Sequence, residues 1–201
     1  MLRLTYVDQT HCWGPPNAGS YAALTCPGGL ADVHLYSYGA EGLMTQQFSP
    51  VLPTSFSFYY SATTDIGFLG ILQHSPGVTC PPSGIIQVYI ETGGGINNRA
   101  WLYLNGTTIL QVYGQTPMSG TVRVDFTCSQ FVLSMNGVEL GRAAIPPQTD
   151  LTTDQVDILA ASTNFIDTHG QFTNVQLMDG GCLPPTPTKS STWGRLKSIY
   201  R

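Results

Sequence analysis

Hydrophobic and polar residues alternate in short runs along most of this chain, and turn-forming residues separate the runs. In YLNGTTIL, Asn105 and Gly106 divide the run 101–104 from 107–112; in LSMNGVEL, Asn136 and Gly137 divide 131–135 from 138–140. A two-residue hairpin loop needs positive φ at both central residues, which Asn-Gly supplies at least steric cost. Two β-hairpins are therefore predicted. The same alternation predicts strands near 31–38, 44–49, 54–61, 66–73, 85–92, 99–104, 107–113, 120–127, 130–135, 138–143, 155–162 and 171–178. Helical spacing with caps is nearly absent. Short, regularly spaced strands separated by turns predict an all-β fold, an antiparallel two-sheet sandwich or jelly roll.

The hairpins also predict faces. A turn at 136–137 sets Met135 opposite Val138 and Leu133 opposite Leu140 on one side, with Ser134 and Glu139 on the other. One buried side agrees with that register. The run before it behaves likewise: Val122, Val124 and Phe126 point one way, Arg123 and Asp125 the other. At the first hairpin, pairing across 105–106 groups Leu102, Leu104 and Ile109 against Trp101, Tyr103, Leu110 and Val112. Both of those faces are apolar. Either the strand is covered on both sides, or one side is an aromatic surface that receives a sugar or a partner.

Outside the patterned stretch the chain changes character. Residues 1–29, with Pro15, Pro16 and Pro27, are expected to be loop-rich; 30–180 form the β-sandwich domain; 181–201 are a Pro/Thr/Ser linker and a basic tail. The tail reads as a flexible end or as a docking peptide for a partner or neighbouring subunit.

Charged residues make up only 10% of the chain, against roughly 25% in ordinary soluble domains. Such a surface suits an extracellular, glycan-facing or assembled protein. Lys189, Arg195, Lys197 and Arg201 lie in the tail, leaving four basic against twelve acidic groups, a net of −8, in the rest. An acidic body repels nucleic acid, so no nucleic-acid contact is expected through it. The chain has no run of about 18 apolar residues, so no membrane-spanning helix is predicted.

Five cysteines, at 12, 26, 80, 128 and 182, form no CxxC pair. Their wide spacing beside prolines and turns resembles an extracellular disulfide framework, with Cys12–Cys26 as the local pair and Cys80–Cys128 as the second. An odd count leaves at least one thiol free or bonded to another chain. Buried reduced thiols are the alternative. The start, MLRLTYVDQTHCWG, lacks the apolar core of a signal peptide. An extracellular or cell-surface location then requires a removed leader; a virus particle is the other destination.

The order of features over residues 54–177 resembles a concanavalin A-like, laminin G-type jelly roll. FSFYYSATTDIGFLGIL matches its paired early strands, TVRVDFTCSQFVLSMNGVEL its strand and hairpin with an NG turn, and GQFTNVQLMD its closing strand. QVYIETGGGINNRAWLYLNG is also similar to a segment of farnesoic-acid-methyltransferase-like domains, β-rich extracellular modules despite their name. The matching positions are turn and core positions, which transmit fold rather than function. The galectin His-Asn-Arg and Trp-Glu cluster is missing from the sequence. So is the E-x-D-x-E run of glycosidases on this fold, since the three glutamates are Glu41, Glu91 and Glu139. No catalytic residue is carried over. The resemblance implies calcium at a sandwich rim, for which Asp150, Asp154, Asp157 and Asp167 are the hard-oxygen candidates; their spacing is a weak signal, and solvated loop charges are the commoner explanation of such residues.

No enzyme is expected. The four histidines form no HExxH or HxH pair, GxSxG is missing, and Gly93–Gly95 reads as a turn. Asn105-Gly106-Thr107 is an N-glycosylation sequon on a hairpin tip, though its turn role alone explains Asn105. Trp101, Tyr103, Tyr89 and Trp13 are the candidates for glycan or partner contact, since flat rings stack on sugar C–H groups and also fill interfaces. The expected function is a non-enzymatic recognition module for a glycan or protein partner, without cofactor unless calcium binds. The alternative is a self-assembling structural jelly roll.

Overall fold

The computed structural model describes residues 2–3, 8–10, 21–25, 30–36, 41–62, 66–74, 85–92, 98–114, 116–162 and 167–181; side chains are described for 47–62, 67–74, 85–92, 98–114, 116–158 and 174–181. Regular structure among these residues is strand alone: β1 (Leu2–Arg3), β2 (Asp8–Thr10), β3 (Tyr21–Thr25), β4 (Leu30–Tyr36), β5 (Glu41–Val51), β6 (Pro53–Ala62), β7 (Ile66–Gln73), β8 (Ile86–Thr92), β9 (Arg99–Leu104), β10 (Thr107–Tyr113), β11 (Ser119–Phe126), β12 (Gln130–Met135), β13 (Val138–Ala144), β14 (Thr153–Ser162) and β15 (Asp167–Asp179). They form two antiparallel sheets. The first runs β13-β12-β11-β6-β15-β4-β3 with β1 beside β15, the second β10-β9-β8-β7-β14-β5-β2. All twelve strands expected beyond residue 30 are present.

Residues 1–29, expected to be loop-rich, supply β1, β2 and β3, which pair with β15, β5 and β4. Runs of two to five residues are too short for alternation to reveal them.

Both Asn-Gly turns form where predicted. Asn105 and Gly106 have φ of 47° and 76°, Asn136 and Gly137 of 51° and 79°, the paired positive values of a type I′ hairpin. Each hairpin then carries a β-bulge that alternation did not reveal. In β10 the register jumps from Thr108↔Tyr103 to Leu110↔Leu102, leaving Ile109 as the extra residue. In β13 it jumps from Glu139↔Ser134 to Gly141↔Leu133, leaving Leu140 extra. One inserted residue flips every later side chain to the other face. Leu133 therefore faces Gly141 and not Leu140, and Leu110 and Val112 join Leu102 and Ala100 on the inward face. Val138 pairs with Met135 as expected. It is nevertheless 66% exposed, because β13 is the last strand of its sheet.

Between the sheets, alternate residues build one core. Phe56, Phe58 and Tyr60 of β6 meet Phe68 and Leu72 of β7, with Val88 and Ile90, Leu102, Val124, Phe131 and Leu133 filling toward the hairpins. Burying each large apolar side chain contributes about 1.5–3 kcal/mol. The Tyr60 hydroxyl donates to the Pro117 carbonyl at 2.8 Å, so its polar end is satisfied. Burial pushes its pKa up.

Candidate functional site

Because side chains alternate along a strand, the residues between the core positions of β8, β9 and β10 point out of the second sheet. Cross-strand register aligns them. Gly67, Glu91, Arg99 and Tyr113 form one row; Leu69, Tyr89, Trp101 and Gln111 the next; Ile71, Gln87, Tyr103 and Thr108 the third. Three of the four predicted contact residues thus share one surface. Trp13 lies outside the described residues.

The three rings are half-buried and touch. Tyr89 and Trp101 have centroids 5.4 Å apart at 33°, and Trp101 and Tyr103 stand edge-on at 5.9 Å and 81°. The Arg99 guanidinium lies 4.2 Å from the Trp101 ring centroid, a cation–π position. Its Nε donates to Glu91 Oε2, so the arginine is held over the indole from one side and paired from the other. Burial, reinforced by the Glu91 charge, pushes the Tyr89 hydroxyl up to about 12. Burial also raises Tyr103. Trp101 Nε1 is shielded from water and has no acceptor among the described residues. A shielded donor left unpaired costs about 1–3 kcal/mol.

Farther along the same face the sheet is closed to solvent. Gln155 and Asp157 of β14, Ile71 and Gln73 are all buried. Gln73 Nε2 donates to Asp157 Oδ2, Gln155 Nε2 to Asp157 Oδ1 at 2.9 Å, and Gln47 Nε2 to Gln155 Oε1 at 3.2 Å. Amide donors satisfy the buried carboxylate, as burial requires. Gln155 and Asp157 alternate with the apolar Val156 and Ile158, which marks an outward face; nothing local marks that part of the face as covered. Glu91 and Asp157 lie two strands and four residues apart, about 16 Å by β-sheet spacings.

The three calcium candidates whose side chains are described each have a partner of their own. Asp150 Oδ1 accepts from its own turn's Thr152 N–H at 2.9 Å, and the Thr152 hydroxyl and amide hold its carboxyl below the usual range. Asp154 Oδ2 sits 3.3 Å from His74 Nδ1, and Asp157 is enclosed by glutamines. The Asp167 side chain lies outside the described residues. Among the described residues no three His, Cys, Asp or Glu groups gather for a metal. Cys128 is disulfide-bonded; Cys12, Cys26 and Cys80 lie outside the described residues. Asn105 is exposed at the hairpin tip and its side chain makes no hydrogen bond among the described residues, whereas Asn136 Oδ1 accepts from Thr121 N–H at 2.8 Å.

Neither a protein-family model nor a curated protein sequence matches the chain. Solved structures do. The potassium-bound carbohydrate recognition domain of Emp46p matches with a TM-score of 0.58 at 10% identity, over 80% of this chain and 88% of that one. The exoplasmic/lumenal domain of VIP36, bound to Ca2+ and Man3GlcNAc, matches with 0.56 at 9%, over 86% and 87%. A Bacillus licheniformis β-glucanase matches with 0.53 at 12%, over 87% and 99%. Recognition domains and a glucanase share this architecture, so the likeness establishes fold alone. The chain has the concanavalin A-like jelly-roll fold.

Proposed function

We propose that the chain is a non-catalytic glycan-recognition module acting outside the cell or in a lumenal compartment, with Tyr89, Trp101 and Tyr103 as its binding surface. The observation that carries this reading is the contiguous half-exposed patch of three touching rings, with the Arg99 guanidinium beside Trp101. Sugar C–H faces stack on such rings. Two structures of the same fold support it, one named a carbohydrate recognition domain and one holding Man3GlcNAc. Hydrolysis of a glycosidic bond needs two carboxyl groups about 5–9.5 Å apart. Glu91 and Asp157 are farther apart than that, one is tied to Arg99, and the other is buried, which favours binding over catalysis. A glycan on Asn105 fits the same extracellular setting.

A glycan array followed by calorimetry on the strongest hit tests this. Trp101→Ala should weaken binding at least tenfold while the circular dichroism spectrum is unchanged. No glycan bound, full affinity in the folded Trp101→Ala variant, or a sizing column showing closed particles would overturn the reading.

A further inference from the structure

The second sheet ends at β10, which pairs with β9 alone among the described strands. Gly114 N–H donates to the Asn98 carbonyl at 2.6 Å, and Val112 and Leu110 face Ala100 and Leu102. In an antiparallel ladder the groups bonded to the partner alternate. Gln111 and Tyr113 therefore direct their N–H and C=O away from the sheet, and both side chains are exposed.

The other sheet ends at β13, beside β10, and the two edges are defended differently. On β13, Arg142 pairs with Glu139 at 2.9 and 2.7 Å, and edge charges of this kind discourage strand addition. The sequence of β10, TTILQVY, has no charge and no proline. Its tyrosine Tyr113 is 58% exposed.

We infer that β10 is a self-association edge, where a second copy of this chain adds antiparallel about a two-fold axis at Val112. Gln111 then lies opposite Tyr113 of the second copy, and Tyr113 opposite Gln111 of the second copy, with four main-chain hydrogen bonds closing the ladder. No like charges meet, because the strand carries none. The axis runs normal to the sheet, so the two aromatic faces lie on the same side of one continuous sheet. Their Trp101 strands are then three spacings apart, about 14 Å. A face of that kind would bind a multivalent ligand with avidity. The pairing itself does not depend on the ligand being a glycan.

Sedimentation velocity of the full chain, after cysteine-linked dimers identified on a non-reducing gel have been removed by size exclusion so that the chain's own disulfide stays intact, tests it. The wild type should show a reversible monomer–dimer equilibrium. Gln111→Lys with Tyr113→Lys sets lysine opposite lysine twice and should weaken dimerisation at least tenfold. Gln111→Lys with Tyr113→Glu sets lysine opposite glutamate and should retain the dimer. Both positions are exposed, and circular dichroism would confirm that each variant is folded. Glu139→Ala, on the other edge, should leave the equilibrium unchanged. A wild-type monomer at every concentration to several hundred micromolar, equal association by the two double variants, or a dimer lost with Glu139→Ala would overturn the inference.

Discussion

The hairpins β9–β10 and β12–β13 are the same device built twice, one ending each sheet. Both turn on Asn-Gly with paired positive φ. Both place the bulged residue third after the glycine, and their strands share one burial pattern. Even their inward residues interlock: Leu110 and Gly141 are equivalent positions, and a Cβ on Gly141 would lie 3.0 Å from Leu110 Cδ1. The outward positions diverge completely. Where β9 carries Trp101 and Tyr103, β12 carries Val132 and Ser134. The neighbouring strands follow suit, with Tyr89 in the second sheet against the Arg123–Asp125 pair in the first. Turn chemistry and core packing dictate the shared half of each hairpin, and the outward half is free to specialise.

The two hairpins should be alike in the core. Leu102 and Leu133 are both fully buried, so Leu102→Ala and Leu133→Ala should each cost about 2–5 kcal/mol in urea denaturation. A large cost in only one would show that the hairpins are not equivalent. Gly141→Leu should cost about 1–3 kcal/mol by overpacking against Leu110, and adding Leu110→Gly should recover much of it. Failure of that exchange would mean that the close approach is not what keeps residue 141 small. Gly106→Ala and Gly137→Ala should lose about 1–2 kcal/mol each, and equally, since both glycines sit at positive φ. Alkaline pH separates the two regions as well. Tyr89 titrates at about 12 in the folded chain against about 10 unfolded. Its neutral form is favoured by folding, so that stability is whole below pH 10 and falls as pH rises toward 12. Tyr89→Phe should flatten the decline, whereas Val132→Ala and Ser134→Ala, at the equivalent outward positions of β12, should not. An unchanged profile in Tyr89→Phe would contradict the cause assigned.

Much of this was legible from alternation and turn chemistry. Asn105-Gly106 and Asn136-Gly137 fixed both hairpin tips, and alternation located the twelve strands beyond residue 30. The bulges were not legible, because nothing about Ile109 or Leu140 distinguishes an extra residue from a paired one. Their omission reversed the faces assigned to Leu110 and Val112. Trp101 and Tyr103 precede the bulge, so their common outward face was readable. The closed Gln73–Gln155–Asp157 cluster was not, because burial on a sheet's outer face depends on distant chain. The aspartates grouped by sequence proximity separated for the same reason: Asp150, Asp154 and Asp157 each find a different partner.

The most direct measurement follows the Trp101 indole N–H by heteronuclear NMR, assigned with Trp101→Phe, while the strongest array glycan is titrated in. A glycan seated on the rings should shift that resonance strongly and leave Val132 and Ser134 on the equivalent hairpin unmoved. A bound glycan that leaves the Trp101 indole unshifted, or that moves Val132 and Ser134 instead, would contradict that seating.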